Sequence, residues 1–164
     1  MVRSFAFWGE IDTDYQSWVN WIDDALKICE WLGYPANHYG FDVMGRTDGK
    51  VHPITGMSRK LKNVRDKKEV IVEGIILTLP KDYTSAIFDY IITFSRCPEY
   101  ILLSLNQDYE MQIDEKKLID LLRRNIHAAS GEVYEMDIDD CPEFYAAKAN
   151  PDKPIQSYKK IATL

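Results

Sequence analysis

Residues 69–79 read Glu69-Val70-Ile71-Val72-Glu73-Gly74-Ile75-Ile76-Leu77-Thr78-Leu79, an almost unbroken apolar and β-branched run ended by Pro80. Branched side chains fit a pleated surface, and a run with little polar alternation suits a central strand covered on both faces. Working outward, residues 100–105 form a second strong strand and residues 2–8 a first one, rich in aromatics and followed by Gly9. Val133 to Ile138 alternates polar and apolar positions, which suits a sheet edge. His38 to Val43 reads as a strand, with Asp48-Gly49 as a turn and Lys50-Val51-His52 as the returning arm of a hairpin.

Helices fall between these strands. Asp12, Thr13 and Asp14 offer N-caps, and Trp18, Trp21, Ile22, Ala25, Ile28, Cys29 and Leu32 recur at steps of three and four. This predicts a helix over 14–32, closed by Gly33 and Pro35. Residues 57–65 suit a short basic helix. Asp82 is expected to cap a helix over 83–96, with Ala86, Ile87, Tyr90, Ile91 and Phe94 on one face. Asp114 is expected to cap another over 115–129, with Leu118, Leu121, Leu122, Asn125 and Ala129 inward and Gly131 closing it. The final stretch, with Pro142, Pro151 and Pro154, reads as extended surface chain. The fold class is therefore α+β: one domain over 1–164, a mixed sheet of about five to six strands, and about three helices packed on it.

Composition narrows function. The chain has 164 residues, 46% hydrophobic and 28% charged, with ten Tyr, six Phe and four Trp. That is enough apolar surface for a real core and too much for disorder. The net charge of -6 disfavours nucleic acid as a partner and favours a basic protein. No run approaches the length of a membrane span, so a cytoplasmic location is expected. Cys29, Cys97 and Cys141 are too few and too scattered for a disulfide framework. Cys29 lies on an apolar helix face and reads as a buried thiol. Cys97-Pro98-Glu99-Tyr100 and Cys141-Pro142-Glu143-Phe144 echo each other locally, without a wider repeat.

No motif announces a reaction. The glycines at 40, 45 and 49 are too dispersed for a phosphate loop, and no GxSxG elbow is present. His38, His52 and His127 have no His or Cys within four residues, so no metal ligand set and no cofactor are expected.

Charge is uneven along the chain. Residues 106–143 hold eleven acids against four bases, and residues 46–69 hold eight bases against three acids. The run Glu135, Asp137, Asp139, Asp140 and Glu143 lacks the glycine and spacing of a calcium loop. It reads as a solvated edge, as a partner surface, or as carboxylates for metal or acid–base work. The basic segment reads as a solvated face or an anion-binding surface.

The strand ending Phe7-Trp8-Gly9 and leading into a long Trp-rich helix resembles the opening of immunity proteins of bacterial polymorphic toxin systems. The resemblance covers about the first 35 residues. It implies a non-enzymatic, stoichiometric inhibitor of a cognate toxin, and it assigns no catalytic residues. Aromatics beside acids make good interface anchors, so Tyr109, Glu110, Tyr134, Glu135, Asp137, Asp139, Asp140, Glu143 and Tyr145 are the candidate partner-binding residues. Tyr134 and Phe144 have a core role as their alternative. The rival function is a small hydrolase with dispersed catalytic residues.

Overall fold

The computed structural model describes residues 1–149 and 155–164. Pro151 and Pro154 lie outside them. The chain is α+β, with eight strands in one sheet: β1 (Val2–Glu10), β2 (His38–Val43), β3 (His52–Pro53), β4 (Ile71–Thr78), β5 (Ile92–Cys97), β6 (Tyr100–Asn106), β7 (His127–Met136) and β8 (Lys159–Thr163). Their order across the sheet is β3-β2-β4-β5-β6-β1-β7-β8. Every described pairing is antiparallel, which corrects the expected mixed sheet. The helices are α1 (Tyr15–Trp31), α2 (Met57–Asp66), α3 (Glu115–Arg123) and the short α4 (Pro142–Ala146).

Alternation sorts the strand residues onto two faces. Phe5, Phe7, Phe41, Ile76, Phe94, Ile101 and Leu103 point to the face covered by α1, α2 and α3. There Trp18 and Trp21 cross edge to face at 5.7 Å, and Trp21 tilts against Phe94 at 5.3 Å. Gly74 of β4 admits them: a Cβ there would stand 2.9 Å from Trp18 and 3.0 Å from Trp21. Asp14 caps α1 as expected, its carboxylate accepting from the Ser17 N–H at 3.0 Å. Arg96 is buried beneath α1, its guanidinium 4.3 Å from the Trp18 ring and donating to the Asp12 carbonyl at 2.8 Å. Buried Asp24 ties α1 to the end of α3 by accepting from Arg124 and Asn125.

The opposite face has thinner cover. Ala6, Leu102, Tyr134 and Met136 pack there with Ala146 of α4. Val2 and Leu77 pack with Leu79 and Tyr90 of the 79–91 connection. Between these clusters a cleft lies over β2, β4 and β5.

Four expectations about individual elements fail for identifiable reasons. Residues 83–96 are not a helix. The Asp89 carboxylate accepts from the backbone N–H groups of Thr84 and Ser85 and from the Thr84 hydroxyl, organising a loop. Ile92–Cys97 then enters the sheet as β5. Its residues are buried on both sides, so no period of two marks it as a strand. The 115–129 helix stops at Arg123, because residues from His127 onward pair with β1 across a bulge at Trp8/Gly9. Gly131 lies inside β7 with the Phe7 ring against it, rather than closing a helix. The final stretch is not extended surface chain throughout, since buried Pro142 opens α4 and Lys159–Thr163 forms β8. Finally, β7 is not the edge, since β8 pairs with it.

Candidate functional site

The open part of the second face is a cleft of about 260 Å³. β2, β4 and β5 supply its floor, with Gly40, Glu73, Ile75, Leu77, Thr93, Ser95 and Cys97. The 80–91 loop supplies Ala86, Ile87 and Tyr90 as one wall. The approach to α4 supplies Cys141, Pro142, Glu143 and Phe144 as the other. Cys141 adopts a left-handed conformation (φ 53°), turning the chain from a 3-10 helical turn over Ile138–Asp140 into α4, with Pro142 in its first turn.

Glu143 is the polar centre of this wall. As a residue it is half-buried, but its carboxylate turns inward. Oε1 accepts from the Tyr100 hydroxyl at 2.6 Å, and Oε2 from the Ser95 hydroxyl at 3.0 Å. The Cys97 thiol lies 4.0 Å from Oε1. Among the described residues, no Lys, Arg or His forms an ion pair with it. Burial is the main cause that raises its pKa. The Tyr100 and Ser95 hydrogen bonds oppose that rise, and Glu73 adds to it. Burial also pushes the Cys97 thiol up to about 12 and raises that of Cys141. Both thiols are therefore protonated and weakly nucleophilic. The Thr93 hydroxyl, in the cleft floor, is buried with no hydrogen-bond partner among the described residues.

This carboxyl sets a pH dependence. Its folded pKa exceeds the unfolded one, so the folded chain holds that proton more tightly. Its contribution to stability is full below the unfolded value near 4.5 and falls as pH rises toward the folded value. Glu143→Gln keeps the neutral shape and removes the decline. Thermal denaturation should find the variant more stable than wild type at neutral pH, with the gap closing at acid pH.

The nine candidate partner-binding residues do not form one surface. Tyr134 is fully buried (0% exposed), its hydroxyl donating to the Pro142 carbonyl at 3.0 Å. Tyr145 is half-buried against Tyr134 and Tyr158, with ring centroids 4.6 and 4.8 Å away, and it donates to Glu132. Glu135 points to the other face, between Arg3 at 3.6 Å and Lys159 at 3.7 Å. Tyr109 rests on Tyr34, with ring centroids 5.8 Å apart. Glu110, Asp137, Asp139 and Asp140 are exposed, and Asp140 accepts from the Ser157 hydroxyl. Only Glu143 enters the cleft.

The histidines lie elsewhere: His38 beside Asn37 and Tyr83, His52 beside Asp48, and His127 beside Asp12. The described residues contain no cluster of three or more His, Cys, Asp or Glu suited to a metal. They also contain no helix long and apolar enough to cross a membrane.

Ser95, Thr93, Tyr100 and Ile87 were missed as site residues. One signal pointed to part of the site. The two Cys-Pro-Glu-aromatic segments, 97–100 and 141–144, meet in space, where Tyr100 of the first donates to Glu143 of the second. Comparisons with protein-family models, curated proteins and solved structures find no match.

Proposed function

We propose that this chain is a binding protein of the immunity type, which holds a cognate toxin inactive by occupying it, and that the toxin sits over the cleft rather than along the acidic run. One observation carries this reading. Large apolar side chains stand in solvent where a carboxylate with no basic partner among the described residues lines a cleft: Ile87 is 56% exposed and Phe144 53%, with Phe88 at 43% beside Ile87 in the chain. A contiguous exposed apolar patch marks an interaction site, and anchors that fill a pocket there carry most of the binding energy. The net charge of -6 steers a basic partner toward it.

The test is complex formation with a toxin encoded beside its gene, and rescue of cells making that toxin. The variant carrying Ile87→Asp and Phe144→Asp should stay folded, bind about tenfold more weakly or worse, and lose protection. Unchanged affinity in that variant would move the interface elsewhere. No complex and no protection by wild type would remove the immunity reading.

A second reading, a small hydrolase, has one observation in its favour: Glu143 is a carboxyl with a raised pKa, hydrogen-bonded to Tyr100 in a cleft, as a general acid requires. Turnover of model ester, amide or glycoside substrates by wild type, abolished in Glu143→Gln, would establish it.

A further inference from the structure

We propose that the cleft is a receptor for one organic cation, an ammonium or guanidinium group on an apolar stem, held by the Glu143 carboxylate. This rests on the binding reading above only for the source of that cation.

Three features of the site specify the chemistry. First, every described hydrogen bond to the Glu143 carboxylate comes from a neutral hydroxyl, Tyr100 or Ser95. These donors fix its orientation without neutralising its charge. A buried carboxylate gains most from a cation that brings its own donors. Second, much of the lining is apolar: Ile75 and Leu77 in the floor, with Val51, Ala86, Ile87 and Phe144 around it. They suit a methylene chain, as the stems of Lys and Arg lie along apolar surface. Third, the Thr93 hydroxyl is buried in the floor with no partner among the described residues, leaving a second polar position for a donor-rich head group. The volume, about 260 Å³, falls just under the roughly 300–1,000 Å³ of drug-sized pockets. It fits one side chain or a small amine.

The charges facing Glu143 favour the same sign. Glu73 of β4 and Asp42 of β2 line the cleft, against Lys50 as the one basic lining residue among those described. Cys97, Cys141, Tyr90 and Tyr100 are held protonated by burial. Binding needs Glu143 ionised, so affinity should rise with pH through its titration and then level off.

The probes are n-hexylammonium and n-hexanol, matched in stem and differing in charge, titrated into the whole chain by calorimetry and by NMR of the Ile and Thr methyl groups. Hexylammonium should bind about tenfold or more tightly than hexanol, with shifts at Ile75, Ile87 and Thr93. Glu143→Gln, whose fold is checked by its melting temperature, should erase that preference. Equal binding of the two probes, no binding of hexylammonium to folded wild type, or a preference that survives Glu143→Gln would each overturn the proposal.

A second arm separates the sources. If the peptide acetyl-Leu-Lys-Leu-amide binds at least as well as hexylammonium, and its norleucine counterpart does not, the cation belongs to a protein partner. If the free amine binds and the peptide does not, the cation site stands with a small amine as its ligand, and the toxin's contact lies elsewhere.

Discussion

Tyr134→Ala is expected to cost about 3–5 kcal/mol, a large part of the 5–15 kcal/mol by which a domain is stable. Tyr134 sits beside acids in sequence and reads there either as an interface anchor or as a core residue. In the fold it lies at the centre of the second face, fully buried among Ala6, Leu102 and Met136. Tyr145 and Tyr158 cover it at 4.6 and 5.8 Å. Truncation empties a site that cannot collapse, because strands β1, β6 and β7 hold its walls. Tyr134→Phe removes only the hydroxyl and leaves the Pro142 carbonyl without that donor. It should cost about 1 kcal/mol. Urea denaturation of the two variants separates a core role from an interface role. An interface residue would lose affinity at unchanged stability.

Trp21→Ala should be as damaging, again about 3–5 kcal/mol. Its indole spans the space between α1 and the sheet, packed on Gly74, Trp18 and Phe94. Trp21→Phe should cost far less. It keeps a ring against Phe94 and discards an indole N–H that is buried without a partner. Loss of the folded near-ultraviolet signal at low denaturant in the alanine variant, with cooperative unfolding retained in the phenylalanine variant, is the expected outcome.

The side of the molecule that Trp21 belongs to was the legible one. The 14–32 helix, its Asp14 cap and its inward face follow from a 3.6-residue period that one-sided burial imposes. Ile76, Leu77 and Thr78 of β4 are buried, as the apolar run implies, while Glu73 and Ile75 are more exposed in the cleft. Failure concentrated around the second face. β5 is buried on both sides and carries Thr93, Ser95 and Arg96 in its interior, so polarity there reports neither face nor exposure. The apolar spacing from Ala86 to Phe94 mimics a helix, because Ile87 reaches solvent at the cleft while Phe94 reaches the core.

The site was less legible still. Glu143 stands out in the sequence only as one acid among five. What distinguishes it is a pair of hydroxyls from Ser95 and Tyr100, more than forty residues away. Tertiary pairing at that separation leaves no local trace beyond the matched Cys-Pro-Glu-aromatic segments. The acidic run divides because residues alternate across β7. Tyr134 enters the second face, Glu135 faces Arg3 on the first, and the chain then turns at Ile138–Asp140 before Glu143 reaches inward.

Hydrogen–deuterium exchange of the chain, alone and in complex with a toxin encoded beside its gene, tests the cleft face most directly. Slowed exchange over residues 83–91 and 141–146, with 107–115 and 159–163 unchanged, is the predicted result. Protection confined to 107–115 and 159–163, leaving 83–91 as fast as in the free chain, would contradict it.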